Sequence, residues 1–179
     1  MESLAPESTH LAPEAVLHRI FGHAGFRGRQ AEIVQHVMEG GSGLVLMPTG
    51  GGKSLCFQVP ALCRPGLGVV VSPLIALMED QVAALRQQGV AAAALHSDLP
   101  EEQAREVRRD LARGAIKLLY VSPERLSSTP PWRGWRNGPS PSSPSTRRIA
   151  SASGATTSGR NTAASACWPN ASPRCRASP

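Results

Sequence analysis

From position 127 to position 179 this 179-residue chain contains no aspartate, glutamate, histidine or lysine. Other residue types are scarce throughout: three Phe, one Tyr, three Trp and four Cys. No apolar run approaches the roughly 20 residues that a membrane span requires, so no membrane partner is expected. Cys56, Cys63, Cys167 and Cys175 form no CxxC pair and have no histidine at metal-ligand spacing, which excludes the usual zinc patterns. With no secretory signal ahead of them, they read as reduced thiols of a cytoplasmic protein.

Charge is divided as sharply as composition. Residues 1 to 126 hold 12 Lys+Arg against 13 Asp+Glu, and the seven arginines of residues 127 to 179 produce the net charge of +6. A basic chain ordinarily suggests a nucleic-acid surface. Here the first 126 residues sum to −1, so any DNA contact rests on local placement. Beyond Leu126, 12 Ser and 8 Pro interrupt every hydrophobic period, and such a segment cannot build a core. The expected organisation is a flexible N-terminus at 1–12, one α/β domain at 13–126, and a disordered tail at 127–179.

Inside 13–126, short β-rich runs recur at Gly43–Met47, Val69–Ser72, Ala92–Leu95 and Ile116–Val121. The segments between them are long enough for crossover helices, a rhythm that predicts a parallel sheet. After Pro73, a helix is expected to bury Leu74, Leu77, Met78, Val82 and Leu85 and to stop at Gly89. A second, opened by Pro100, turns Ala104, Val107 and Leu111 inward and ends at Gly114. Its outward charges, Glu101, Glu102, Arg105, Arg108 and Arg109, read as a solvated face. Two earlier helices are predicted at Pro13–Phe21 and Arg29–Glu39, joined by the loop Gly22–Gly28.

The strongest local signal is Met47-Pro48-Thr49-Gly50-Gly51-Gly52-Lys53-Ser54, placed between a predicted strand and a predicted helix. Three glycines let successive N–H groups curl around an anion without Cβ clashes. The helix beginning near Lys53 adds its positive end, Lys53 offers a point charge for outer phosphates, and the Ser54 hydroxyl can ligate Mg²⁺. The competing reading, a glycine turn with an incidental lysine, leaves the adjacent strand, helix start and Ser54 as coincidences. The general phosphate-loop pattern has Gly where this chain has Met47.

Pro-Thr-Gly-Gly-Gly-Lys-Ser followed by Leu55-Cys56-Phe57-Gln58-Val59-Pro60-Ala61 resembles the phosphate loop of RecQ-family DNA helicases. Phe26-Arg27-Gly28-Arg29-Gln30 resembles that family's adenine-recognition motif. Ser72-Pro73-Leu74-Ile75-Ala76-Leu77-Met78 and Ser122-Pro123-Glu124-Arg125-Leu126 resemble two of its DNA-strand motifs. The resemblance covers about residues 14 to 126 and implies an incomplete RecA-like domain of an ATP- and Mg²⁺-dependent helicase. Such helicases move 3′ to 5′ on single-stranded and forked DNA in repair and recombination.

By that resemblance Gln30 bonds the adenine edge, Arg27 lies against the base, and His23 stands where the family often has a stacking aromatic. Ser72, Pro73, Leu74, Ser122 and Pro123 would touch the DNA strand. Without the family, Gln30 and Arg27 read equally as surface residues, and Ser72-Pro73 as a strand-to-helix turn.

Phosphoryl transfer at such a loop needs an acidic partner for Mg²⁺ and water, in this family an Asp-Glu-Ala-His stretch on the next strand. Nothing after Glu124 can supply it. Wrong-frame reading of GC-rich DNA yields Arg, Ala, Ser, Pro and Gly in excess, and the letters permit that explanation. With Ser145 as TCG, Thr146 as ACG, Arg147 as AGG, Arg148 as CGC, Ile149 as ATT and Ala150 as GCG, the neighbouring frame reads GAC-GAG-GCG-CAT-TGC, which is Asp-Glu-Ala-His-Cys. Continued through Thr162 it permits DEAHCVSQWGHDFRPEYR. The expectation is a one-base shift between about Leu126 and Thr129, leaving a truncated fragment that binds ATP weakly and unwinds nothing. Losing the acidic strand would also leave an interior sheet edge unpaired.

Two other functions stay open. One is a stand-alone phosphate-loop module such as a small kinase, which Lys53 and Ser54 would serve equally well. The other is a non-enzymatic fragment in which the seven tail arginines tether nucleic acid. Arg147-Arg148 with Trp132 and Trp135 could imitate a phosphate clamp, but wrong-frame residues carry no selected role.

Overall fold

The computed structural model describes residues 11–48 and 50–128. The expected tail from residue 129 onward, residues 1–10 of the expected N-terminus and Thr49 fall outside the described residues, whereas Ser127 and Ser128, where the tail was expected to begin, close a helix that starts at Pro123. Element order is α1 (Pro13–Arg19), α2 (Gln30–Met38), α3 (Leu55–Cys63), β1 (Gly68–Val71), α4 (Ile75–Gln87), β2 (Ala92–Leu95), α5 (Glu101–Ala112), β3 (Leu118–Val121) and α6 (Pro123–Ser128).

The three strands form one parallel sheet in the order β1-β3-β2, with Leu118 opposite both Gly68 and Ala92, and Val121 opposite Val71 and Leu95. A parallel strand covered on both faces must be apolar at every position, and β3, Leu-Leu-Tyr-Val, is buried throughout. Its side chains alternate between two cores. Leu118 and Tyr120 join Phe57 and Ala61 of α3 and Met78, Val82 and Leu85 of α4. Leu119 and Val121 join Ala104 and Leu111 of α5 on the opposite face. A third cluster, Val16, Leu17, Val34, Val59 and Cys63, packs α1 and α2 onto α3.

Two expectations are corrected. Leu74 and Leu77 were expected inside but are exposed, and only Met78, Val82 and Leu85 of that set are buried. The helix starts at Ile75, and in its first turn Ile75 packs against the core in place of Leu74 and Leu77. Its end is as the pattern requires, with Gly89 at φ +79°.

The second correction is larger. Gly43–Met47 was expected as the strand that feeds the phosphate loop, yet it takes no place in the sheet. Leu44 and Leu46 are 86% and 85% exposed. The residue types are right for a strand, but a strand is made by its hydrogen-bonded neighbour, and no described residue pairs with this one.

The centre of the sheet carries a polar network. Gln58 Nε2 donates to Gln81 Oε1 and to the Tyr120 hydroxyl, both at 2.9 Å. Burial pushes the Tyr120 phenol up to about 12, and the Gln58 hydrogen bond only partly opposes that. In the unfolded chain the phenol ionises near pH 10. Between about pH 10 and pH 12 the unfolded state loses a proton that the folded state keeps, so stability falls across that window, by about 3 kcal/mol at its upper end. Urea unfolding midpoints of the chain and of Tyr120→Phe, compared at pH 8 and pH 11, should show a steeper alkaline loss for the parent chain. Equal slopes would refute this.

Candidate nucleotide-binding site

The glycine loop runs from Met47 into α3, whose first residue follows Ser54. Gly52 has φ +75°, a backbone conformation that side-chain-bearing residues rarely adopt. Lys53 Nζ donates to the carbonyls of Met47 at 3.1 Å and Pro48 at 2.9 Å. The ammonium is thus held across the loop by the loop's own backbone. Ser54 precedes α3 in helical conformation and makes no side-chain cap. Together with Phe57, Val70, Ser72, Leu77, Met78, Gln81 and Tyr120 it lines a cavity of about 30 Å³.

Gln30 is joined to this loop from 20 or so residues upstream. It is 2% exposed, which overturns its reading as a surface residue. Its Oε1 accepts from the Arg27 backbone N–H at 2.8 Å, and its Nε2 donates to the carbonyls of Gly51 at 3.2 Å and Gly52 at 3.3 Å. Both ends of the amide are therefore occupied by protein backbone, and Gln30 ties the Arg27 loop to the phosphate loop. Arg27 and His23 are exposed on the same Gly22–Gly28 segment.

A Cβ added at Gly52 would lie 2.2 Å from Gln30 Nε2. Gly52→Ala should therefore cost about 1–2 kcal/mol for the left-handed backbone and about as much again for displacing a buried amide from its two acceptors. Thermal unfolding of the 179-residue chain tests this, and a melting temperature within a degree of the parent would contradict it.

The residues expected to meet DNA divide into two groups. Ser72 and Ser122 are buried strand-end hydroxyls: Ser72 Oγ accepts from the Leu74 N–H at 3.3 Å, and Ser122 Oγ has no hydrogen-bond partner among the described residues. Pro73 and Leu74 are exposed, and Pro123 is half-buried. Side-chain access to a strand at this edge belongs to Pro73 and Leu74. A larger cavity of about 620 Å³, lined by Glu79, Arg86, His96, Gln103 and Glu106 among others, lies between α4, β2 and α5 and includes none of the motif residues.

The only expected Mg²⁺ ligand is Ser54, a single neutral oxygen. Among the described residues no group of three or more His, Cys, Asp or Glu is placed to hold a metal, and no carboxylate lines the cavity beside Ser54. Ser54 fits Mg²⁺ as one ligand in a shell completed by phosphate oxygens and water, the usual way this ion is held beside nucleotides.

The Gln58–Gln81–Tyr120 network was not singled out from the sequence. Gln58 follows the loop by one helical turn and looks like any polar helix residue. Only the pairing of β1 with β3 brings Tyr120 beneath it.

The family described as DEAD/DEAH box helicase matches residues 27–137. The chain belongs to the DEAD/DEAH box helicase family. It is similar to proteins named ATP-dependent DNA helicase RecQ. The protein of Synechocystis is 50% identical over 119 residues, which are 66% of this chain and 25% of that protein. That of Pasteurella multocida is 47% identical over 114 residues, 64% of this chain and 18% of the relative. The Bacillus subtilis protein is 44% identical over 116 residues, 64% and 20% respectively. The chain thus spans a quarter or less of the length of these RecQ relatives. Among solved structures, the DUF1998 helicase MrfA in its DNA-bound crystal form superposes with a TM-score of 0.55 at 23% identity, covering 70% of this chain and 18% of that one. That likeness supports the fold, an incomplete RecA-like sheet with flanking helices.

Proposed function

We infer that this chain is the nucleotide-binding front part of a RecQ-type helicase, whose whole activity is 3′ to 5′ DNA unwinding driven by ATP. The observation that carries this reading is the tie between Gln30 and the phosphate loop, because it joins two of the family's motifs into one site. Lys53 reaches the outer phosphates of ATP, and the N–H groups of Gly50, Gly52 and Lys53 surround them, joined by that of Gly51 once it leaves the Pro48 carbonyl. Met47, Pro48 and Thr49 form the approach to the loop, Ser54 offers its hydroxyl to Mg²⁺, and Arg27 and His23 lie toward the base. In taking up adenine, the Gln30 amide exchanges one of its loop contacts for the base edge. Bound Mg²⁺ neutralises charge on the phosphates. Single-stranded DNA passes the strand-end turns at Pro73, Leu74 and Pro123.

The acidic partner that such chemistry needs is absent from the residues after Glu124. The 179-residue chain is accordingly expected to bind ATP weakly, to hydrolyse none and to unwind nothing. The test is phosphate release by the purified chain with and without single-stranded DNA. DNA-stimulated hydrolysis that Lys53→Ala abolishes would overturn the inactivity, and a chain with no measurable affinity for ATP would overturn the site.

A non-enzymatic role as a nucleic-acid tether would depend on the seven arginines of 127–179. Deleting those residues and finding DNA binding unchanged would remove it.

A further inference from the structure

β2 pairs with β3 and with no other described strand. In a parallel ladder the N–H and C=O of one residue serve the same neighbour, and successive residues alternate between the two sides. The Ala91 carbonyl accepts from the Lys117 N–H at 2.7 Å and the Leu95 carbonyl from the Ser122 N–H at 3.1 Å. Residues 91, 93 and 95 therefore face β3, and Ala92 and Ala94 turn their backbone groups to the free edge.

That edge is the floor of the cavity of about 620 Å³. Its walls are two helices. α4 contributes Glu79, Val82, Ala83 and Arg86, and α5 contributes Gln103, Glu106, Val107 and Asp110. Each set has the spacing of one helical face, so both helices present a stripe to the groove. Ala92 and Ala94 belong to the core under α4, Ala93 and Leu95 to the core under α5. A strand laid beside β2 would alternate in the same way, one row of side chains toward each helix.

Polar groups in the groove await partners. His96, the residue after β2, is 1% exposed and lines the groove, yet neither ring nitrogen has a hydrogen-bond partner among the described residues. Glu79 Oε1 stands 3.3 Å from its Nε2 without the geometry of a hydrogen bond. Buried nitrogens of this kind ordinarily find a partner, which points to a polar occupant. Arg86 Nε donates to the Ala92 carbonyl at 2.8 Å and substitutes for a neighbouring strand at that one group. Ala94 has no such substitute among the described residues.

The charge of the groove selects the occupant. Glu79, Glu106 and Asp110 oppose Arg86 alone, and among the described residues neither Glu106 nor Asp110 forms an ion pair. Glu106 and Asp110 are one helical turn apart, about 6 Å along the axis. Alternate residues of a strand are about 6.7 Å apart, so two basic residues separated by one apolar residue match both carboxylates. Nucleic acid is repelled by the same charges, and a second copy pairing edge to edge would bring two sets of carboxylates together.

We propose that the groove between α4 and α5 takes an extended, basic peptide segment of a partner protein, added to the sheet as a strand along β2. Basic residues of the segment meet Glu106 and Asp110, the alternate apolar residues lie over Val82 and Ala83, and the backbone pairs with Ala92 and Ala94.

The probe is the capped pentapeptide acetyl-Val-Arg-Val-Arg-Val-amide, titrated into the 179-residue chain and followed by residue-resolved amide hydrogen exchange. Binding should slow exchange at Ala92 and Ala94 by about tenfold or more and change Ala93 and Leu95 far less, because their amides already bond β3. Equal slowing across all four would mean general stabilisation and would overturn the pairing. Glu106→Gln combined with Asp110→Asn should weaken binding about fivefold and leave the affinity for ATP unchanged, so the groove and the nucleotide site can fail separately. Arg86→Ala frees the Ala92 carbonyl and removes the opposing cation, so it should tighten binding, which loss of a merely structural arginine would not do. The proposal is overturned if acetyl-Val-Glu-Val-Glu-Val-amide binds as well, or if the basic peptide shows no binding below about 1 mM. Protection of Ala92 and Ala94 that rises with chain concentration in the absence of peptide would assign the edge to a second copy and overturn it as well.

Discussion

Replacing Lys53 with alanine should lower the affinity of the 179-residue chain for ATP by about tenfold to a hundredfold, with little change in its unfolding temperature. The ammonium donates to the Met47 and Pro48 carbonyls, which hold the loop's only cation over the turn that bends around phosphate. Those carbonyls belong to a half-buried to exposed stretch, so water replaces the lost donor cheaply and the fold is scarcely affected. The contact with a triphosphate is different. A hydrogen bond to a charged group contributes about 1.5–3 kcal/mol, which corresponds to the loss expected in the dissociation constant. Lys53→Arg should recover only part of it, because a planar fork does not fill the place of a compact point charge. Titration with a fluorescent ATP analogue in the presence of Mg²⁺ reads both variants. An alanine variant that binds as the parent does would mean that nucleotide, if bound, sits elsewhere.

How much was legible in the sequence depended on whether a feature was local. The helices of 100–114 and 73–89 follow from Pro, Gly and the apolar spacing, and Ala104, Leu111, Met78, Val82 and Leu85 lie where that spacing puts them. The loop residues could be named because glycine, lysine and serine at consecutive positions have few other uses together. Gln30 could not be placed by any local rule. Its burial comes from the packing of α2 against α3, which sets the amide under Gly51 and Gly52. Ser72 and Ser122 were visible as strand ends, but whether a strand-end hydroxyl faces outward or inward is decided by the neighbouring turn. At Ser72 the turn folds the Leu74 N–H onto it. Gly43–Met47 shows the opposite error. Its residue types favour a strand, and propensity for a strand is largely a statement about neighbours. The sequence specifies half of a pairing there and the described residues do not contain the other half.

Gln30→Glu should be the most damaging single change of similar size near the loop, costing about 3 kcal/mol or more at pH 8, whereas Gln30→Met should cost about 1–3 kcal/mol. The two variants separate the loss of hydrogen bonds from the introduction of repulsion. Methionine fills nearly the same volume and removes the partners of the Arg27 N–H and the Gly51 carbonyl, while the Gly52 carbonyl keeps the Leu55 N–H. Glutamate can still accept from the Arg27 N–H, but it turns an anionic oxygen toward the two carbonyls that Gln30 Nε2 now satisfies. A buried carboxylate facing carbonyl oxygens is raised in pKa by desolvation and by those dipoles together. Its protonated form carries an O–H that can donate to either carbonyl, so the defect should be present above the raised pKa and shrink as pH falls through it. The gap in melting temperature between the two variants should therefore narrow from pH 8 to pH 5, because the glutamate variant gains relative to the methionine variant on acidification. For a domain of this size each 1 kcal/mol moves the midpoint by roughly 4–8 °C, well within calorimetric resolution. A glutamate variant as stable as the parent at pH 8 would show that Gln30 does not hold the loop, and the junction between the Arg27 segment and the phosphate loop would have to be sought in the packing of Phe26 and Leu55, which share one apolar cluster.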